Sequence, residues 1–153
     1  MYIEKRPFLA QVQAVHRRSL IIRSIWAACL VIGGVNHASN LLRHGLFWDY
    51  GGVAWASAAY WSSLTLIDPI AAALLFVRPK VGILSTIVLI VTNVIHNLAV
   101  TAYYAPEGAF LTRAYTSPFM VSQIVFMLFV GATTWVAWSG VASSRHLQPA
   151  QTT

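Results

Sequence analysis

One carboxylate stands inside a long apolar run of this chain: Asp68, in Leu64-Thr65-Leu66-Ile67-Asp68-Pro69-Ile70. An acid at such depth in a membrane segment is costly and marks a functional site by default. Apolar surroundings disfavour its charged form, which suits a general acid or a proton shuttle. His37 and His96 lie within two other apolar runs and are the natural base partners. Asn93, His96 and Asn97 are spaced by three and four residues and share one helical face, and Ser57, Trp61, Thr65 and Asp68 form a second stripe. Asn36, Asn40 and Arg43 make a third, with His37 alongside. Polar groups turned to lipid lose several kcal/mol each, so all three faces are expected to point inward. On this reading Asp68, His96 and His37 are the candidate catalytic residues. Asn36, Asn93, Asn97, Tyr60, Trp61, Thr65 and Gln123 are the candidates for holding a substrate.

Plainer roles compete. Asp68 could be a structural acid bonded to an amide or imidazole on a neighbouring helix, and the amides could simply bridge helices, at about 0.6 kcal/mol or a little more each. Tyr60, Trp61, Phe126 and Trp135 could line an apolar pocket, steady a cation, or pack against lipid. His37 and His96 at matching depth could also be axial ligands of a b-type haem. One carboxylate and no cysteine pair inside the runs speak against zinc or di-iron, so no metal and no cofactor is expected.

The elements that must position these residues are four hydrophobic helices, at about 20–42, 53–77, 81–104 and 119–139. Each is long enough to cross a hydrocarbon core of ~30 Å. Arg78-Pro79-Lys80 leaves only a short turn, so the second and third helices are antiparallel neighbours. Gly33-Gly34 in the first helix permits close approach of another. Pro69 has no N–H for the Thr65 carbonyl, which predicts a kink beside Asp68. Ser117 and Pro118 read as the N-cap and first residue of the last helix. Residues 1–19 are expected to form a basic amphipathic segment on the membrane surface, and 141–153 a polar tail.

The 153 residues are 58% hydrophobic and only 9% charged, with a mean hydropathy of +0.65, far too apolar for an ordinary soluble domain. The net charge of +6 is spread over short segments between apolar runs, which fits membrane orientation and not nucleic-acid binding. Lys5, Arg6, Arg17, Arg18, Arg23, Arg78, Lys80 and Arg145 fall on one side of a four-span arrangement, against Arg43 and Arg113 on the other. Both termini are therefore expected in the cytoplasm, of a bacterial inner membrane or its equivalent. Cys29 alone founds no disulfide framework. Counted from the cytoplasmic ends, His37 lies roughly 25 Å in, His96 roughly 22 Å and Asp68 roughly 14 Å, so a polar pocket is expected with Asp68 as its floor.

The Gly33-Gly34-Val35-Asn36-His37 close of the first helix, the acid in Leu66-Ile67-Asp68-Pro69-Ile70, the polar Thr92-Asn93-Val94-Ile95-His96-Asn97 and an aromatic last helix resemble the EXPERA group. That group contains the emopamil-binding sterol isomerases and the sigma-2 receptor. The resemblance implies a four-helix bundle with a lipid-accessible pocket, where acidic and His side chains move protons on, or bind, a sterol-like or amine ligand. His37 and Asp68 match the group's first-helix His and second-helix acid, and Asn93 its third-helix polar position.

The expectation is thus an all-α, four-span membrane bundle whose partners are membrane lipids and a hydrophobic small molecule. The leading activity is proton transfer on an isoprenoid- or sterol-like substrate: isomerisation, cyclisation or hydration. A proton-coupled transporter or channel subunit, with a homo-oligomer implied, stands as the alternative, beside a haem-binding bundle and a noncatalytic accessory subunit. Conduction requires a polar path to both sides, whereas an enzyme site is closed on the cytoplasmic side.

Overall fold

The computed structural model describes residues 5–143. Most of the expected tail, Arg145 included, lies outside the described residues. The chain forms α1 (Lys5–His44), α2 (Trp55–Val77), α3 (Pro79–Tyr104), a short α4 (Phe110–Thr116) and α5 (Pro118–Ser143). Four of these helices are long and apolar enough to cross a membrane. The protein is an all-α, multi-pass membrane bundle. Its spans pack in the cyclic order α1–α2–α3–α5, running up, down, up and down, and the diagonal pairs barely meet.

One local expectation meets a different geometry. Residues 5–19 are not a separate surface element: α1 is one helix of 40 residues, ~60 Å long against a core of ~30 Å. As expected of the second helix, α2 runs helically through Pro69. Ser117 does cap α5, its hydroxyl accepting the Met120 N–H at 3.4 Å.

The bundle has two storeys. Toward the α2–α3 turn the interior is apolar: Trp26, Ala27 and Leu30 of α1, Ala71, Ala72 and Leu75 of α2, Ile83 and Ile90 of α3, and Val130 and Ala137 of α5 form one buried cluster. Small residues set the helix spacing here. A Cβ on Gly82 would fall on the backbone of Leu74 and Leu75, and one on Gly140 on Ser19 and the Val15 carbonyl. The α1–α5 seam is pinned by Ser19, whose hydroxyl donates to the Ala137 carbonyl at 2.6 Å, and by the Trp26 indole N–H, which donates to the Thr133 hydroxyl at 3.1 Å.

One charge sits within this storey. Arg23 is only 4% exposed, and its Nη1 donates to the Leu75 carbonyl at 2.6 Å. The cause is local. A helical carbonyl takes its bond from the N–H four residues on, and four residues beyond Leu75 is Pro79, which has none. Arg23 reaches across from α1 to supply that donor. Arg23→Met leaves a buried acceptor unpaired and should lower bundle stability by about 1–3 kcal/mol. Detergent unfolding of the purified variant reads this directly, and an unshifted midpoint would remove Arg23 from the account of why α2 ends where it does.

Candidate functional site

The second storey, toward the α1–α2 loop, holds the polar residues. Asp68 marks its floor. It is 7% exposed and has no hydrogen-bond or ion-pair partner among the described residues. α1 passes so close that a Cβ on Gly33 would lie 2.9 Å from Asp68 Oδ2, and one on Gly34 would lie 3.0 Å from Pro69 Cδ. The glycine pair therefore does what small residues do at helix crossings, and here the close approach falls on the carboxyl itself.

Helical side chains lean toward their own N-terminus. His37, one turn beyond Gly33 on α1, leans back toward the Gly33 level, while Asp68 on the antiparallel α2 leans toward Thr65. The two side chains are thus directed into the same layer of the α1–α2 seam. Tyr60 lies about two turns before Asp68 on α2. His96 of α3 packs on Tyr60 with ring centroids 4.5 Å apart and meets Trp61 edge-on at 5.7 Å.

Four buried polar atoms in this storey have no hydrogen-bond partner among the described residues: His37 Nδ1, Tyr60 Oη, Thr65 Oγ1 and His96 Nε2. Buried polar groups are paired in the great majority of proteins, so such a group of atoms calls for an account. All four can donate or accept, depending on tautomer or rotor.

Asn97 behaves differently. Its Oδ1 accepts from the Trp61 indole at 2.7 Å, and its Nδ2 donates to Gln123 Oε1 at 2.6 Å and to Asn93 Oδ1 at 3.2 Å. These bonds tie α2, α3 and α5 together. The amides Asn93, Asn97 and Gln123, expected to hold substrate, bind one another and fix Trp61 against His96.

Asn36 corrects its expected place: it is exposed, on the outward face of α1 with Ile32 and Val35, a turn of ~100° away from His37. Arg43 and Trp135 are also exposed. Ser57, Trp61, Thr65 and Asp68 do face inward, buried or half-buried.

The loop end is closed by aromatic rings that spacing alone did not reveal. His44 stacks on Trp48 at 4.0 Å, Trp48 on Tyr50 at 4.2 Å, and Tyr50 contacts Trp61 at 5.1 Å. Left-handed backbone at Gly45, Tyr50, Gly51 and Gly52 folds the loop back over the bundle. Tyr104 pins its far end by accepting the Ala54 N–H at 2.9 Å. The signal for this cap was the run Gly45 to Gly52 with its interspersed aromatics. No three His, Cys, Asp or Glu side chains converge as a metal site would need, among the described residues.

No protein-family model, curated protein or solved structure matches this chain.

Proposed function

We propose that the protein is a membrane enzyme that transfers protons to and from an apolar, isoprenoid- or sterol-like substrate. In this reading Asp68 is the acid or proton shuttle, His37 or His96 the base, and Tyr60 and Thr65 hydrogen-bonding groups facing the substrate. The observation that carries the reading is the buried carboxyl without a partner, set among four unpaired polar atoms from three helices. The carboxyl, the two imidazoles and the phenol are groups that hold or pass a proton, and the Thr65 hydroxyl can donate or accept a hydrogen bond. Asn93, Asn97 and Gln123 position the His96 side of the site through Trp61.

The apolar storey favours catalysis over conduction. Beyond Asp68, in the direction of the α2–α3 turn, the interior closes with Leu30, Ala71, Ala72 and Leu75, so the polar zone has a blind end. The EXPERA resemblance points toward the same kind of chemistry. The distribution of Lys and Arg supports termini on the cytoplasmic side, with the polar storey toward the outer leaflet.

Isomerisation, cyclisation and hydration of an alkene all form a carbon–hydrogen bond with a proton from the solvent pool. The test is to incubate the reconstituted protein with an isoprenoid lipid extract in deuterium oxide and analyse the lipids by mass spectrometry. Carbon-bound deuterium should enter one apolar lipid with the native protein and not with Asp68→Asn, the variant's fold being checked by its unfolding midpoint. Equal incorporation by both proteins would take Asp68 out of the mechanism, and none by the native protein would overturn proton transfer to lipid.

A further inference from the structure

At the opposite end of the molecule from the polar storey, a surface recess of about 200 Å³ is lined by Arg78, Pro79, Lys80, Val81 and Val141. We propose that this recess binds the phosphodiester headgroup of an anionic phospholipid, with the acyl chains lying along the adjoining helices. The proposal is independent of the chemistry assigned to Asp68.

Charge comes first. Arg78 is exposed, and Lys80 Nζ is held 5.5 Å from the centroid of the Trp138 ring, which fixes the ammonium at the rim of the recess. Arg17 and Arg18 add to the same end: they follow His16, whose Nδ1 is 3.4 Å from the carbonyl of Gly140, the residue before Val141. No described acid offsets them. Asp49 and Glu107 lie in loops at the other end, and Asp68 is buried at mid-bundle. Basic recesses between spans are where anionic headgroups are recognised.

Shape and polarity then favour a lipid over a soluble phosphate. Pro79, Val81 and Val141 give the recess apolar walls. Beside it Val77 is 77% exposed, and Val81 and Leu84 are exposed too, so an apolar flank leads away from the two cations into the span. A ligand with a phosphate at one end and hydrocarbon at the other matches both parts. The turn marks the end of two spans, which is the depth at which lipid phosphates lie.

The experiment uses the full chain purified in detergent and observed by native mass spectrometry. Its probes are phosphatidylglycerol, phosphatidylcholine, glycerol phosphate and inorganic phosphate, added separately. Phosphatidylglycerol should be retained, phosphatidylcholine at least about tenfold less, and the two soluble phosphates should neither bind nor compete at equal concentration. Arg78→Gln with Lys80→Gln should weaken phosphatidylglycerol retention about tenfold or more, whereas Arg43→Gln with Arg113→Gln, at the other end, should not change it. Should the double variant aggregate, Arg78→Gln alone, on an exposed side chain, carries the same comparison. Undiminished retention by the Arg78 variants, equal retention of phosphatidylcholine, or full competition by a soluble phosphate would each overturn the proposal.

Discussion

Gly82→Ala is expected to destabilise the bundle by about 3 kcal/mol or more, a large loss for a single methyl group. The added carbon would land on the main chain of Leu74 and Leu75, which cannot rotate aside as a side chain can. Relief requires α2 and α3 to move apart. That is hard because Arg78 alone joins them and because Leu75 and Ile83 fill the adjoining core completely. Gly131→Ala is the matched control, since its Cβ would meet nothing within 4 Å. It should leave the unfolding midpoint unchanged or raise it slightly, alanine being the better helix former. Similar midpoints for the two variants would mean that close backbone contact is not what sets the α2–α3 spacing.

Gly33→Ala is expected to act on the site more than on the fold. Its Cβ would lie 2.9 Å from Asp68 Oδ2, a side-chain atom able to turn away, so the stability cost stays small while the carboxyl moves. A displacement of about 1 Å at a reacting group can lower turnover about 100-fold, and Asp68-dependent deuterium incorporation should fall by that order. A double-mutant cycle separates this from general damage. The stability cost of Gly33→Ala should vanish in an Asp68→Ala background, giving a coupling equal to that small cost, about 0.5 kcal/mol. Gly34→Ala meets the rigid Pro69 ring at 3.0 Å, so its cost should persist there. An unchanged Gly33→Ala penalty in the Asp68→Ala background would show that the glycine is spacing helices and not seating the carboxyl.

How far the sequence reveals this arrangement depends on which physical rule governs each residue. Where the cost of exposing a polar group to lipid decides, the reading holds. Ser57, Trp61, Thr65 and Asp68 face inward, and Asn97 of α3 meets Gln123 of α5 and Trp61 of α2 inside the bundle. Gly33-Gly34 marks the close crossing because only small residues allow one. Asn36 escapes the rule because one residue of rotation separates it from His37, and packing of Gly33 and Gly34 on α2 fixes that rotation. Arg23 is hidden for another reason: a basic residue near the start of an apolar run reads as an orientation signal, and its bond to Leu75 becomes visible only when Pro79 is seen to deprive that carbonyl. The aromatic cap depends on left-handed residues in the 45–52 loop, whose fold no periodicity encodes.

The expected substrate-binding amides show a further limit. Spacing brought Asn93, Asn97 and Gln123 to one level, but amides at one level can bind a ligand or each other. The hydrogen bonds place Asn97 in the second situation, while Tyr60, Thr65, His37 and His96 each carry a buried polar atom without a partner among the described residues.

The apolar storey also has an electrical consequence. A charge carried across the whole membrane does work of about 2.3 kcal/mol per 100 mV. A proton that reaches Asp68 from the loop end halts above Leu30, Ala71, Ala72 and Leu75, and the part of the field that falls across those residues does no work on it. Asp68 lies near the midplane, so under the proposed function its protonation from that side should carry roughly half of the full-span voltage dependence.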